Sequence, residues 1–457
     1  MIKKILGLIL LLMFLSVSVF GTVFSLNLTN KSNNNSNNPS VACTQVCTHL
    51  PIMLIDTNNQ IISKDSKSEV RVKIVDYESG NSISTKPNFE TEALINYRGN
   101  SSYSTFDKLQ YRVKFYSNIS TENTKNFPLF GMTSNSDWVL YGPFLDRSLI
   151  RNHLMFSLSR DLLEWAPDTR YFELYVDSEY QGVYLAIEPI SVGEGRIDLN
   201  RFGLLSGETP YIIRRDRVGT ENNVIHTYGE IMGFTSNELS IHYPGNDSLT
   251  TKQYDWIKKD VSRFEEVLYS DYFDNPNTGY AKYINVSSFV DYFILNEFAM
   301  ITDSSELSTY LYKDLSGKLT FTVWDFNNGF NNYQWSDQSY QLYFNLDSNW
   351  FKRLIQDRTF VDRIVQRYEE LRLNELSDLN LMKRIDEDVD YLGDAIQRNF
   401  EVWGYTFDQE LLSKDSNGLN RDPKSYEEAV NMLKEVIILR LEYMDQTINQ
   451  LYEYSIN

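Results

Sequence analysis

Apolar residues alternate with polar ones early in this chain and fall into a helical period late in it. That change of period limits the fold more than any other feature. Val70-Arg71-Val72-Lys73-Ile74 and Tyr111-Arg112-Val113-Lys114-Phe115 are half-buried strands by their period of two, and Pro51–Asp56 reads as another. Turn chemistry separates them at Asp56-Thr57-Asn58-Asn59 and Glu78-Ser79-Gly80-Asn81. A second β region spans Tyr171–Glu188, with Ser178-Glu179 as the tip of a hairpin. From Asp255 onward helices dominate. Ser288–Met300 is apolar nearly all round, the mark of a buried helix. Ser425–Leu451 is amphipathic: Ser425 and Glu428 make a capping box, and Ala429, Leu433, Val436, Met444, Ile448 and Leu451 form the stripe. The expectation is an α+β body of two lobes, β-rich over about 48–200 and helical over about 250–457, with a strand–turn unit at Lys318–Trp324 between them.

Ahead of that body, Lys3 and Lys4 precede an apolar run from Ile5 to Leu26, so residues 1–26 read as a signal peptide or a membrane anchor. Either places the remainder outside the cytosol, secreted or tethered by one N-terminal span. Residues 27–47 are an Asn/Ser-rich tether ending in Cys43 and Cys47, a pair spaced to close a small local disulfide in an oxidising compartment. Two cysteines and four scattered histidines do not make a zinc site. With 43 basic against 62 acidic side chains, a formal charge of −19, the chain repels a phosphate backbone, which argues against nucleic acid as a partner. The same charge suits a basic, Ser-rich protein partner, or serves solubility alone.

The chemistry gathers in ITDSSELSTYLYKDLSGKLTFTVWDFNNGF. Strands Tyr310–Lys313 and Lys318–Trp324 meet at Leu315-Ser316-Gly317, with Asp303 before the hairpin and Asp325 after it. A hairpin returns its ends to one place, so the two carboxylates should be neighbours. Phosphoryl transfer uses such a pair, one acid positioning the attacking hydroxyl and the other holding Mg²⁺ or Mn²⁺ against the phosphates. Asp325-Phe326-Asn327 has the form of a kinase Asp-Phe-Gly turn with Asn for Gly. Alone, the tripeptide equally describes a strand-end Asp capping a turn.

Further blocks occur in a fixed order: Tyr97-Arg98-Gly99-Asn100-Ser101-Ser102, then Asp137-Trp138-Val139-Leu140 with Asp146, Arg147, Ser148, Arg151 and Asn152. Tyr180-Gln181-Gly182-Val183-Tyr184-Leu185 with Glu188 follows, then Phe289–Phe293, Asn296-Glu297, Arg398-Asn399-Phe400 and Trp403-Gly404. In these blocks the sequence resembles the CotH kinase family, named for a spore-coat protein of endospore-forming bacteria. The resemblance implies an atypical protein-kinase-like two-lobed fold, with ATP and Mg²⁺ or Mn²⁺ as cofactors, that phosphorylates Ser/Thr of secreted, surface or coat proteins. It assigns Asp303 as the catalytic acid and Asp325 as the metal ligand. Lys114, Arg98 and Lys108, in that order, are the candidates to grip the ATP phosphates, since Arg112 and Lys114 turn together away from the core of their strand. Glu188 would orient such a lysine or balance Arg196. Asp146 and Arg151 read as a buried pair joining the lobes, and Glu297, on a buried helix, must be paired or hydrated. One departure stands out: Asn327 occupies a position where the family usually has Asp, leaving one carboxylate fewer. The alternative is therefore a catalytically inactive CotH-like surface or coat protein that binds a partner.

Overall fold

The first eight strands, all formed from the alternating segments and the β region after them, close on themselves. They are β1 Ile52–Asp56, β2 Ser68–Val75, β3 Phe89–Arg98, β4 Gln110–Asn118, β5 Asn123–Thr124, β6 Asp137–Tyr141, β7 Thr169–Val176 and β8 Glu179–Ile187. Their order is β3-β2-β1-β7-β8-β6-β4-β5, and β4 also pairs with β3, so seven strands form a ring with β5 outside it. Every pairing is antiparallel except the β1–β7 seam, which is parallel. Closure removes the free edges that an open sheet of this size would expose. This computed structural model describes residues 47–200, 207–217, 223–236 and 238–456. The signal or anchor segment, the tether up to Val46 and Cys43 lie outside them; Cys47 is disulfide-bonded. Among the described residues no helix is long and apolar enough to cross a membrane.

Period two explains the ring's interior. Val70, Val72 and Ile74 point inward with Ala93, Ile95, Val113, Phe115, Trp138, Leu140, Phe172, Leu174, Tyr184 and Ala186. The alternate residues of β6 and β8 (Val139, Tyr141, Val183, Leu185, Ile187) join a second, larger core shared with the helices. β8 is therefore buried on both faces, which is why it reads as a continuous apolar run. The β7–β8 turn falls at Asp177-Ser178, one residue earlier than expected. Both residues take positive φ (50° and 68°), as a two-residue hairpin loop requires.

The second half departs from expectation first in its strands. The Lys318–Trp324 unit does not stand alone. β12 (Thr309–Lys313) and β13 (Thr320–Thr322) belong to a five-stranded antiparallel sheet with β9 (Tyr211–Arg215), β10 (Val224–Ile225) and β11 (Leu239–Tyr243), ordered β10-β11-β9-β12-β13. Strand structure thus extends past residue 200. Around it pack helices Thr251–Leu268, Val286–Phe298, Arg358–Leu373, Asp378–Leu392, Ala395–Trp403 and Tyr426–Thr447. The mixed α+β class holds, and the helix at Val286–Phe298 is buried at every position from Ser288 on. Ser425 caps the last long helix by accepting from the Glu428 amide (3.1 Å). Glu428 reaches the Lys424 amide instead of completing the box.

Four buried polar clamps join the barrel to the helical part. Arg151 pairs with Asp146 at 2.6 Å and donates to the Gly329 carbonyl at 3.0 Å. Arg147 pairs with Asp422 at 2.5 Å. Arg398 forks onto Glu173 at 2.8 and 2.9 Å. The Asn399 Oδ1 accepts from the Val183 amide at 3.0 Å while Trp403 donates to the Gln181 carbonyl at 2.9 Å. Between those last two contacts lies Gly182 (φ 94°), where a Cβ would stand 2.5 Å from Asn399 Oδ1, so only glycine lets the helix approach.

Candidate active site

Strand register, rather than sequence proximity, assembles the site. β12 runs antiparallel to both neighbours, with Thr309 opposite Arg215 and Tyr310 opposite Thr322. The end of β9, the start of β12 and the end of β13 therefore lie at one edge of the second sheet. Asp216 follows β9, Asp303 precedes β12 and Asp325 follows β13, so three carboxylates gather at that edge. They line a single cleft of about 470 Å³ whose opposite wall is the barrel rim: Arg98 at the end of β3, the turn Gly99–Ser102, Gln110 and Arg112. Lys64, Arg214, Arg217, Ser308, Asn327 and the exposed Trp335 also line it. A hollow of about 670 Å³ beside Lys73 and Tyr175 on the barrel contains none of the candidate site residues.

Asp325 adopts φ 66°, an uncommon conformation for a side chain other than glycine, and its neighbours hold it there. Asn152 Oδ1 accepts from the Phe326 amide at 2.9 Å, Arg151 holds the Gly329 carbonyl, and Asn332 holds the Asn327 carbonyl at 2.8 Å. Phe326 is fully buried. The Ser308 hydroxyl, on a residue also at positive φ, lies 3.4 Å from Asp325 Oδ2. Asp325 is exposed toward the cleft although protein crowds around its carboxylate. Its desolvation pushes the carboxyl pKa up, the nearby Arg98 guanidinium opposes that shift, and Asp216 and Asp303 reinforce it. Asp303 is raised by the same cause, with Arg217 opposing and Glu306 and Asp216 adding. Arg98 itself is lowered by burial, with Asp325 opposing; it donates to Gln110 Oε1 at 3.3 Å and lies 5.4 Å over the Trp324 ring.

Of the residues singled out from sequence, Asp303, Asp325 and Arg98 meet in this cleft. The other three lie elsewhere. Lys114 shares the outward face of β4 with Arg112 but sits one pleat farther from the rim, opposite Leu94, with its ammonium 5.9 Å over the Tyr116 ring. Lys108 is 1 % exposed and donates to the Val183 carbonyl and to Asn399 Oδ1, both at 2.8 Å. Burial without a carboxylate drives its pKa well down, and the side chain serves the barrel–helix clamp. Glu188, 2 % exposed, pairs with Arg196 at 3.0 Å and accepts from the Asp168 amide, a strand-end ion pair that orients no lysine. Glu297 is wholly buried, paired with Arg440 at 3.0 Å and capped by the amides of Phe344 and Asn345.

Sequence reasoning missed Asp216 and its arginine neighbours. The signal was the abrupt change from Tyr211-Ile212-Ile213 to Arg214-Arg215-Asp216-Arg217, the end of an apolar strand in a charged cluster. Compared with known families, residues 95–444 match the one described as CotH kinase protein. The chain belongs to the CotH kinase family. The CotH match takes in the rim turn, all three cleft acids and the four clamps, while β1, β2 and the start of β3, which complete the barrel, precede it. No individual curated protein matches the chain.

Proposed function

We propose that this CotH-family chain is an atypical Ser/Thr protein kinase that transfers the γ-phosphoryl group of ATP to a secreted, surface or spore-coat protein. In this reading the barrel and the helical part are the two lobes of a kinase-like fold. The observation that carries it is the meeting of Asp303, Asp325 and Arg98 in one cleft between them. The donor chemistry fits a hard divalent cation: carboxylates, the Ser308 hydroxyl and an Asn327 amide oxygen, with neither imidazole nor thiolate among the described lining. Bound Mg²⁺ or Mn²⁺ supplies neutralisation of the charge on the phosphates.

Asp325 and the other cleft oxygens would hold that ion, and Arg98, which burial fixes in place, would face phosphate oxygens. Asp303 would accept the proton of the substrate hydroxyl as its oxygen forms the new bond to phosphorus and ADP leaves with the bond electrons. Desolvation raises the Asp303 carboxyl toward neutrality and so makes it a better base. The net charge of −19 supports a basic acceptor, and the apolar run Ile5–Leu26 after Lys3 and Lys4 supports work outside the cytosol. A second reading, an inactive binding module of the same family, is favoured by Asn327 and by the burial of Lys108 away from the cleft.

The test is ³²P incorporation into the chain itself and into a basic Ser-rich protein, with Mg²⁺ or Mn²⁺, for wild type, Asp303→Ala and Asp325→Ala. The expected result is incorporation by wild type and a loss of about 100-fold or more in each variant, the scale of a removed general base or charge stabiliser. Equal incorporation by all three would sink the kinase reading. ATP-dependent thermal stabilisation without any transfer would favour the binding module.

A further inference from the structure

At the end of β9 the period of two turns Arg214 and Asp216 toward the cleft and Arg215, between them, the other way into the helical core. Arg215 is 1 % exposed, and its guanidinium lies 4.7 Å over the ring of the equally buried Trp350. A charge so placed needs partners. Arg147, Arg151, Arg196 and Arg440, also buried, each meet a carboxylate within 3.0 Å. Arg421 spreads its donors over the carbonyls of Asn331, Tyr333, Ser336 and Ser413. Arg215 forms no ion pair among the described residues, and its Nε and Nη2 have no hydrogen-bond partner there. Glu265, which accepts from the Trp350 indole at 3.0 Å, offsets its charge without touching it. The single hydrogen bond of Arg215 among the described residues runs from Nη1 to the Ser305 carbonyl at 3.1 Å.

That carbonyl belongs to the turn that presents Asp303. The Asp303 carbonyl accepts from the Glu306 and Leu307 amides at 3.1 and 2.8 Å, and Ser305, inside the turn, takes φ 68°. For serine this conformation costs free energy, so the surroundings must hold it. Three groups do. Arg215 and the Asn349 side-chain amide (2.7 Å) donate to the Ser305 carbonyl, and the Tyr292 hydroxyl accepts from the Ser305 amide at 3.1 Å. Asn349 also accepts from the Ser236 amide, and Tyr292 also meets the Thr309 hydroxyl. Arg215 serves the turn alone. A buried guanidinium with one hydrogen bond adds little to stability, because an apolar side chain of similar volume fills the same space without the desolvation cost. What it adds is the geometry of the Asp303 turn.

We propose that Arg215 is a positioning residue for phosphoryl transfer: from the core side it holds the Ser305 carbonyl, which fixes the Asp303–Leu307 turn and with it the carboxylate that receives the acceptor's proton. This rests on the kinase reading above.

The experiment compares full-length wild type, Arg215→Met and Arg215→Lys, with Asn399→Ala as a variant destabilised at the Gly182 clamp instead. The first readout is hydrogen–deuterium exchange without nucleotide. Arg215→Met should lower the protection of Asp303–Ser308 by about tenfold or more while helix Tyr426–Thr447 keeps its own. Asn399→Ala should leave the turn protected. The second readout is ³²P transfer from ATP to the basic Ser-rich protein. Arg215→Met should lower kcat by about 100-fold, the scale of a catalytic group displaced by about an ångström, with the KM for ATP within about twofold of wild type. Arg215→Lys, which keeps the charge and a donor, should recover about tenfold of that loss. Unchanged protection of the turn, protection lost evenly over the whole chain, or a kcat for Arg215→Met within about threefold of wild type overturns the assignment. If wild type transfers no phosphate, the kinase reading fails, and the exchange result alone still decides whether Arg215 fixes the turn. Should Arg215→Met not fold, Arg215→Gln, neutral and shorter, takes its place under the same criteria.

Discussion

Asp325 combines a positive φ, a desolvated carboxyl and two like-charged neighbours, and each of these works against folding in the absence of a ligand. Asn tolerates the same backbone conformation and carries no charge, so Asp325→Asn should raise the metal-free Tm by about 1–3 °C. The sign with pH follows from the direction of the shift. A carboxyl raised on folding binds more protons folded than unfolded, so wild-type stability falls as pH rises from 3.8 through the raised value. The advantage of the Asp325→Asn variant should therefore be full at neutral pH and vanish below about pH 4. Calorimetry at about pH 7.5 and about pH 3.5, on either side of that window, checks both; a variant less stable than wild type at neutral pH would refute the strain account. Asp303 and Asp325 were legible in sequence because a hairpin returns its ends together. Asp216 was not, because nothing local to β9 says that it pairs with β12, 94 residues on by their first hydrogen-bonded partners, Arg215 and Thr309. Lys108 misled because residue type does not reveal direction: just ahead of β4, it points into the clamp.

Helix Ala395–Trp403 is short, and its position against β8 depends on polar contacts more than on its own stability. Asn399 accepts from both the Val183 amide and Lys108, so Asn399→Ala leaves a buried N–H and a buried amine short of partners. The expected loss is about 2–4 kcal/mol in urea unfolding, against less than about 0.5 kcal/mol for the exposed Glu401→Ala. A loss under about 1 kcal/mol would mean the clamp is dispensable. The motif Arg398-Asn399-Phe400 with Trp403 was visible in sequence, but its purpose was not. Purpose became readable only with Gly182, 217 residues from Asn399, beside which the helix comes close enough to exclude any side chain. The strand pattern of β2 and β4 was legible because one face of each is wet; β9 and β11 were not, being short segments buried by helices.

At the scale of the molecule, the family match begins at Ile95 while the ring needs β1, β2 and all of β3. A chain starting at residue 95 would leave β7, the stub of β3 and the part of β4 from Lys114 onward without their partners, and such edges recruit strands from other copies. Size-exclusion chromatography should show residues 48–457 as a defined species and residues 95–457 as aggregate; a soluble, cooperative 95–457 would refute the closed ring as the stable unit. The α+β class was legible from the change of period. Ring closure was not, since alternation marks the inner face of a strand and is silent about its neighbours.

The parallel seam has a consequence in time. Thr57, just past β1, donates its amide and hydroxyl hydrogen bonds to Asp177, 120 residues later. The ring cannot shut until β7 and β8 exist, and the entropy of closing so long a loop must be met before the seam returns any contact energy. The earliest strands are thus synthesised first and locked last, which gives the nascent chain a long interval in which its β1–β2–β3 meander is open to chaperones and to proteases alike.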